Sequence, residues 1–463
     1  MTQSIFIQVG QCGNQIGHRF WDLALREHAE ANKGHRFDES MRTFFDISSM
    51  NSRQILKARS LLVDMEEGVV KGILRGPLGN IFDAAHLITD IPGSGNNWAV
   101  GYYEHGEKHA SEIIEALRRT AESCDCLQCF FILHSMGGGT GSGTGSFVTT
   151  LLADYFPEVF KIITAVFPSL NDDVITSPYN TVLALDKVTE FADCVIAIEN
   201  QALATIANNI RGELKDRKGG NQLSCGSVIS GEGGISEGKV KAFDEMNNIV
   251  ANMLLNLTSS ARFQGTMNVD LNELSMNLVP FPRLHYLIAA QSPITSFKSI
   301  RAPRNIDQVF QDVYSRDYQL ISTNPKAHTF LATSLLLRGD GFASDIRRNI
   351  DKLQKKLKFV PWNLEGWKVG HCEVAPVGQK SSLLAMSNNT SITIPFSNVL
   401  ERFNKLIHKK AHIHHYLTVN DFEMANFEQS ATSLSDLIQT YKLFDSESGE
   451  LGANAIPTIK IAD

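Results

Sequence analysis

The chain has 463 residues, of which 43% are hydrophobic and 20% are charged, so it can form two to four domains with substantial cores. Its formal net charge of −7 excludes the strongly basic surface of a non-specific nucleic-acid or anionic-membrane binder. The sequence contains no apolar run of about 18 residues, the length that predicts a membrane-spanning helix. Seven scattered cysteines are typical of free thiols in a reducing compartment. We therefore expect a cytoplasmic protein without membrane insertion.

The first 200 residues alternate short apolar strands with amphipathic helices. Strands are expected at residues 5–9, 61–63, 130–133, 162–167 and 195–198. After the first strand, Ile16, Phe20 and Leu23 share one face of a helix. Strand–helix alternation of this kind predicts an α/β fold with a doubly wound parallel sheet. Ligands of such sheets bind outside the carboxyl ends of the strands.

The remaining chain divides into four further segments, and the first domain is expected to span residues 1–203. The pattern is lost from about residue 204 to 241, and the glycine-rich residues 217–240 predict a flexible surface insertion. A long central helix at about 243–262 completes the segment 204–264. Strands at 284–290 and 329–337 predict a smaller α/β domain at 265–390. Residues 391–443 are expected to be helical and residues 444–463 to form a mobile tail.

The densest functional signal is the glycine-rich segment 134–145, between a buried strand and a helix expected near Phe147. Its six glycines are Gly137, Gly138, Gly139, Gly141, Gly143 and Gly145. A plain turn needs one or two glycines, whereas backbone N–H groups that approach an anion need several. The segment therefore predicts a phosphate-binding loop. It matches neither GxxxxGK[ST] nor GxGxxG, which argues against the two commonest nucleotide-binding loops.

Two more loops, residues 10–15 and 93–98, follow strands of the same predicted sheet. Because the carboxyl ends of parallel strands meet at one edge, three loops there predict one polyphosphate pocket. Asp64 and Glu66 end another strand at this edge and could hold Mg²⁺ through water. A solvated helix cap is the alternative interpretation of these two carboxylates.

Several ordered motifs resemble the tubulin superfamily. They are residues 8–17, 95–98, 134–143, 177–180 and 277–285. Residues 21–28, 89–95 and 251–262 are most similar to the epsilon-tubulins within that family. The resemblance extends to about Tyr441 and implies a tubulin-like fold, with a GTP-binding domain at residues 1–203.

The resemblance also implies a GTP/GDP site and Mg²⁺. Asp173 would approach the ribose, Phe243 would stack on the base, and Asn200 and Asn247 would contact the polar edge of the base. Ser177 stands where tubulins usually have a glutamate, which would alter the ribose contacts. Asp64 and Glu66 would lie near Mg²⁺. The phosphates would be surrounded by Gln11, Cys12, Asn96, Ser135, Gly138, Gly139, Thr140 and Gly141.

Residues 268–273 resemble the tubulin loop that reaches the nucleotide of a neighbouring subunit. Glu273 would position or activate the attacking water, with Asp270 beside it, because carboxylates orient water for in-line attack. This implies an assembly-dependent GTPase whose site is complete only across a head-to-tail contact. The alternative interpretation is that Asp270 caps a helix and Glu273 is an ordinary surface residue.

The family resemblance points to a cytoskeletal protein of the centrosome, centriole or basal body. Other tubulins, delta-tubulin among them, and centriolar microtubules are the expected partners. Compared with lattice tubulins, the segment 292–306 is shorter, residues 449–463 lack an acidic run, and the insertion 217–240 is foreign. These features argue against an ordinary microtubule-lattice tubulin, which stays open as the alternative. A dinucleotide-dependent oxidoreductase is a remote alternative that the glycine spacing disfavours.

Two other clusters were weighed as metal sites. Cys124, Cys126 and Cys129 have no fourth ligand at zinc-ribbon spacing, so buried free thiols are favoured. His408, His412 and His415 would share one face if a single helix carried them. An exposed polar face is the favoured interpretation of these histidines.

Overall fold

The computed structural model describes residues 2–32, 39–50, 53–169, 172, 174–219, 243–294 and 305–445. Asp173, residues 220–240 of the predicted insertion with the two residues that follow it, residues 295–304 and the segment 446–463 lie outside the described residues.

Most strands in the described part of the chain belong to one large sheet. In chain order the strands are β1 (Gln3–Val9), β2 (Phe45–Met50), β3 (Arg53–Ala58), β4 (Ser60–Asp64), β5 (Leu87–Thr89), β6 (Leu127–Ser135), β7 (Phe160–Phe167), β8 (Cys194–Glu199), β9 (Tyr286–Ser292), β10 (Thr329–Gly339), β11 (Lys358–Phe359), β12 (Trp367–Cys372) and β13 (Ser381–Asn389). The sheet runs in the order β11-β10-β13-β9-β8-β7-β6-β1-β4-β5, with β12 also paired to β10, while β2 and β3 form a separate hairpin.

The helices cover both faces of this sheet. In chain order they are α1 (Gly10–Ala31), α2 (Glu67–Arg75), α3 (Glu107–Glu122), α4 (Gly145–Tyr155), α5 (Ser177–Phe191), α6 (Asn200–Gly219), α7 (Asp244–Leu257), α8 (Ser259–Arg262), α9 (Leu271–Leu278), α10 (Ile306–Asp312), α11 (Ala343–Gln354), α12 (Thr393–His408), α13 (His414–Leu417) and α14 (Met424–Leu443). Two π-helical segments, Val100–Gly106 and Thr140–Thr144, lead directly into α3 and α4.

The amino-terminal half of the sheet is parallel throughout. Its strands β5, β4, β1, β6, β7 and β8 pair in that spatial order, and every pairing is parallel. All of β1 and nearly all of β6 are buried, which explains the apolar runs 5–7 and 130–133 within them. The predicted doubly wound fold is confirmed. The strand order reverses between β1 and β6, which places the expected ligand crevice at their carboxyl ends.

The carboxyl-terminal half continues the same sheet. Strand β9 pairs in parallel with β8, and β13 runs antiparallel between β9 and β10. The smaller α/β unit predicted from the sequence is therefore joined to the first half by strand pairing. Helices α12 and α14 pack on each other and on α5, as expected for a helical carboxyl-terminal region. None of the described helices is long and apolar enough to cross a membrane.

Two helix boundaries differ from the sequence-based expectation. Helix α6 continues to Gly219, although the apolar pattern is lost at about residue 204. The central helix is interrupted at Thr258, so that α7 and the short α8 together occupy the expected span. Asp445, which was expected in the mobile tail, accepts hydrogen bonds from the Thr329 and Thr390 hydroxyl groups.

A buried charge cluster links three parts of the fold. The Glu27 carboxylate of α1 accepts hydrogen bonds from Arg262 of α8 at 2.7 Å and from Arg338 of β10 at 2.8 Å. All three side chains are at most 2% exposed. Burial alone would raise the pKa of Glu27, but the two guanidinium groups outweigh it and hold the pKa below its ordinary value. Glu27 is therefore ionised and fixes α1 to the carboxyl-terminal half.

Candidate functional site

The glycine-rich segment 134–145 and the loop 10–15 meet at the point where the strand order reverses. Gly10 follows β1 with a φ of +71°, a conformation that side chains other than glycine rarely adopt. A Cβ atom at Gly10 would lie 3.0 Å from the backbone nitrogen of Gly141. The absence of side chains therefore lets the main chain after β1 contact the main chain after β6. The sequence predicted this convergence from topology alone.

The third loop joins the other two through hydroxyl and amide groups. Ser94 Oγ lies 3.0 Å from Thr140 Oγ1. The amide of Asn180, on α5, donates to the Asn96 carbonyl at 2.8 Å and to the Gly137 carbonyl at 2.9 Å. Asn180 thus holds two loops together. The sequence motif that contains Asn180 was noticed, but this positioning role was not.

The glycine-rich segment becomes helical earlier than predicted. The helix expected near Phe147 begins at Gly145, and the π-helical turn Thr140–Thr144 precedes it. The Ser142 hydroxyl donates to the Gly138 carbonyl, and the Gly143 N–H donates to the Gly139 carbonyl at 2.7 Å. This places the amino terminus of a helical segment beside the crevice, where N–H groups and the helix dipole favour an anion.

Two titratable side chains beside this loop, His134 and Cys12, are uncharged. Burial lowers the pKa of His134, which lies beneath the loop, to about 4. Burial raises the pKa of the Cys12 thiol to about 12. Gln11 and Asn96 are exposed, while Cys12, Ser135, Gly138 and Thr140 keep partial exposure. A solvent-accessible crevice therefore presents backbone and neutral polar groups to an incoming anion.

Asp64 and Glu66 lie at the same edge of the sheet. Glu66 Oε2 accepts a hydrogen bond from Gln11 Nε2 at 2.7 Å. Asp64 is buried, and burial raises its pKa to about 7, with the Glu66 charge adding to the increase. Asp64 Oδ2 has no hydrogen-bond partner among the described residues. A buried carboxylate oxygen without a partner fits a site for a hard cation such as Mg²⁺, which would favour the ionised form.

Three side chains are expected to contact the guanine base, and they lie at or near the starts of helices α6 and α7. Phe243 precedes α7 and is 54% exposed, so its ring is available for stacking. Asn247 is buried one turn later, and its N–H donates to the Phe243 carbonyl at 2.9 Å. Asn200 begins α6 directly after β8, and α6 packs on α7.

Ser177, at the expected ribose end, does not face open solvent. It is fully buried, and its hydroxyl donates to Asp172 Oδ2 at 3.4 Å. A Cβ atom at Gly137 would lie 2.8 Å from the Ser177 hydroxyl, so the serine packs beneath the glycine loop. Asp173 lies outside the described residues.

Asp270 and Glu273 lie far from the phosphate loops of the same chain. Asp270 Oδ1 accepts a hydrogen bond at 2.5 Å from Gln128, at the amino end of β6, whereas the glycine loop follows the carboxyl end. Seven residue steps along a strand separate these ends by roughly 23 Å. Asp270 occupies the N-cap position of α9 but makes no side-chain capping bond to that helix. Glu273 is exposed and forms an ion pair with Lys368.

The two other weighed clusters do not form metal sites in the described structure. Cys129 is buried, but Cys124 is partly buried and Cys126 is exposed, so the expectation of three buried thiols was wrong for two of them. The expected single histidine helix was also wrong. Helix α12 ends at His408, and Lys410 and His412 adopt φ values of +50° and +59°, which break the helix before α13.

Comparisons with known proteins agree with this geometry. Residues 3–208 match the Tubulin/FtsZ family, GTPase domain, and residues 282–401 match the tubulin C-terminal domain. Over the full length of both proteins, the chain is 51% identical to the tubulin epsilon chain of Mus musculus and 50% identical to that of Homo sapiens. It is 30% identical to the tubulin beta chain of Pyropia yezoensis, with 97% of this chain and 94% of the relative covered. The chain therefore belongs to the tubulin family, whose GTPase domain binds GTP and GDP.

Proposed function

We propose that this chain is a GTP-binding tubulin specialised for organising centriolar or basal-body microtubules at the centrosome. The convergence of three glycine-rich loops at the reversal of strand order supports the nucleotide site. Identity of about half over the full length of curated epsilon chains, against 30% with a beta chain, supports a role apart from the bulk lattice. We also propose domain boundaries at residues 203, 264, 390 and 443, whereas the two family matches cover residues 3–208 and 282–401.

The residues proposed to bind the nucleotide have separate tasks. Backbone N–H groups of Gly139 and Gly141, with the Thr140 hydroxyl, bind the phosphates, and Asn96 closes the crevice from the third loop. Phe243 stacks on guanine, and the amides of Asn200 and Asn247 read its edge, since asparagine both donates and accepts. Asp64 and Glu66 hold Mg²⁺, which neutralises phosphate charge when bound.

The first test identifies the nucleotide directly. We expect protein purified without added nucleotide to release GTP or GDP on denaturation, in a ratio near one per chain, when the supernatant is resolved by ion-exchange chromatography. The reason is that the crevice offers a preformed anion site with neutral lining groups. Release of a nicotinamide dinucleotide instead would revive the oxidoreductase alternative, and release of no nucleotide would contradict the proposed site.

We further propose that GTP hydrolysis is completed across a head-to-tail contact. Glu273 lies on the edge of the sheet opposite the phosphate loops, so it cannot reach the nucleotide of its own chain. Stacking of a second subunit places that edge over the crevice. Glu273 then orients water for in-line attack, Asp270 supports it, and Lys368 releases its ion pair with Glu273.

Substitution of Glu273 by glutamine tests this assignment. We expect Glu273→Gln to retain GTP but to lose at least about 100-fold of the hydrolysis stimulated by association, because a positioned general base contributes about 10²–10⁴-fold. Phosphate release is measured as protein concentration is raised. Glu122→Gln, an exposed glutamate paired with Arg118 on α3, is the matched control. Undiminished stimulated hydrolysis in Glu273→Gln would exclude the proposed role.

The proposed partners follow from membership of the tubulin family. We propose that the chain stacks on other tubulins, with delta-tubulin as one candidate, and acts on centriolar microtubules. The second candidate function, an ordinary lattice tubulin, is favoured only by the 30% identity to beta chains. Uniform incorporation of the purified protein along microtubules of alpha- and beta-tubulin would support that alternative.

A further inference from the structure

A cluster of one carboxylate and two histidines lies beside the nucleotide loops without any role in them. Asp90 follows β5, His105 lies in the π-helical segment Val100–Gly106, and His109 lies in the first turn of α3. One ligand atom from each residue falls within 4.8 Å of the other two. The sequence offered one signal, the i,i+4 spacing of His105 and His109, but it did not indicate Asp90.

The two ring nitrogens of His109 each lie close to a different carboxylate, and Nε2 faces Asp90. Nδ1 of His109 lies 2.9 Å from Oε2 of the exposed Glu112, and Nε2 lies 3.0 Å from Asp90 Oδ2. If Nδ1 donates to Glu112, the lone pair of Nε2 points at a carboxylate oxygen. Glu112 would then orient the His109 ring. A carboxylate that accepts a hydrogen bond from the second ring nitrogen is the usual support of a metal-bound imidazole.

His105 supplies an independent observation. Its side chain is 7% exposed, its Nδ1 lies 3.7 Å from Asp90 Oδ2, and this nitrogen has no hydrogen-bond partner among the described residues. A protonated His109 bridging two carboxylates would explain the contacts of His109. It would not explain a buried imidazole nitrogen that is directed at the same oxygen and left unpaired.

We propose that Asp90, His105 and His109 bind a divalent transition-metal ion of the Zn²⁺ class, with water as the fourth ligand. Zinc bonds of about 2.0–2.1 Å in tetrahedral geometry require ligand atoms about 3.3 Å apart. The two nitrogen-to-oxygen separations, 3.0 and 3.7 Å, lie on either side of this value, and the two imidazole nitrogens lie within 4.8 Å of each other, so metal binding requires side-chain rotations that bring the three atoms together. Two imidazoles and one carboxylate suit zinc and disfavour Mg²⁺, which prefers oxygen ligands.

A metal ion at this site would compete with a lysine for Asp90, and the ligands flank the nucleotide loop 93–98. Lys108 Nζ lies 2.5 Å from Asp90 Oδ2, but the lysine side chain is 59% exposed and is free to swing into solvent. Asp90 precedes the loop 93–98 and His105 follows it, while the Asp90 N–H donates to the Asp64 carbonyl at 3.3 Å. A bound metal therefore ties together both ends of the loop that carries Ser94 and Asn96.

The test measures Zn²⁺ binding to the full chain by calorimetry, after chelation and with Mg²⁺ in excess. We expect one saturable site that is lost in Asp90→Asn, His105→Gln and His109→Gln. Glu112→Gln, an exposed change that leaves folding intact, should weaken binding by about 10–100-fold. Lys108→Gln should keep or strengthen it, because the competing cation is removed. Co²⁺ should give a visible absorption band in wild type that the His109→Gln variant lacks.

The control separates this site from adventitious binding at exposed groups. His412, His414 and His415 lie together outside the cluster, and their combined change to glutamine should leave the Zn²⁺ stoichiometry unchanged. Cys126→Ser controls for the exposed thiol. Zinc binding that survives in both Glu112→Gln and His109→Gln at wild-type affinity, or that disappears in either control, would overturn the proposal.

Discussion

Replacing Gly141 with alanine is expected to weaken GTP binding by at least about 100-fold. A Cβ atom at Gly141 would lie 2.5 Å from Ser135 Oγ and 3.0 Å from the Ser135 carbonyl oxygen. The carbonyl belongs to the end of β6 and cannot move aside, so the glycine loop must shift. Hydrogen bonds to charged groups contribute about 1.5–3 kcal/mol each. Displacing two N–H groups from the phosphates therefore accounts for a loss of GTP affinity of at least about 100-fold.

The measurement is equilibrium GTP binding by calorimetry on nucleotide-depleted protein. Gly72→Ala on α2 is the matched control, because a Cβ atom there meets nothing within 4 Å. This control should bind GTP normally and gain about 0.5–1 kcal/mol of stability from the loss of glycine in a helix. GTP affinity of Gly141→Ala within a few-fold of wild type would mean that residues 134–145 do not hold the phosphates.

Replacing Glu27 with alanine is expected to reduce the free energy of unfolding by about 3–5 kcal/mol, because two buried guanidinium groups lose their counter-ion. Arg262 and Arg338 have no route to solvent, since both side chains are 0% exposed. Urea denaturation followed by circular dichroism measures the change. Glu115→Ala on α3 provides the control, because it removes only exposed ion pairs and should cost about 0–1 kcal/mol.

The pH dependence of the same pair of variants gives a second measure. The folded-state pKa of Glu27 lies below its unfolded value, so its contribution is fully present above the unfolded pKa and is lost as pH falls through the folded pKa. The stability difference between wild type and Glu27→Ala should therefore shrink under acid conditions. A difference below 1 kcal/mol at neutral pH would show that the two arginines are satisfied without Glu27.

The parallel half of the sheet was predictable from the sequence because buried parallel strands are continuous apolar runs. The same topology also predicted that the loops after β1, β5 and β6 converge, since carboxyl ends of parallel strands share one edge. Helix α6 was missed beyond residue 204 because residues 211–219 are almost entirely polar and carry no apolar period. The break after His408 was missed because two residues with positive φ, neither of them glycine, leave no sequence signal.

Side-chain positions within the site were less predictable than its location. Asn180 lies on α5 yet fixes two loops, a role that depends on how α5 packs rather than on local pattern. The approach of Asp90 to His105 and His109 likewise depends on the path of the chain between β5 and α3. Spacing reveals neighbours on one helix, whereas contacts between separate elements require the tertiary structure.

The segment 270–273 and the glycine loop lie at opposite ends of β6, which are roughly 23 Å apart, so each subunit has two unlike ends. Under the proposed mechanism, a linear row of n subunits contains n − 1 complete hydrolytic centres. The subunit whose crevice is uncovered then hydrolyses its triphosphate only slowly, so short rows retain a larger fraction of unhydrolysed nucleotide than long ones. The position of the unhydrolysed triphosphate therefore marks one end of the row, and the unhydrolysed fraction decreases as the row becomes longer.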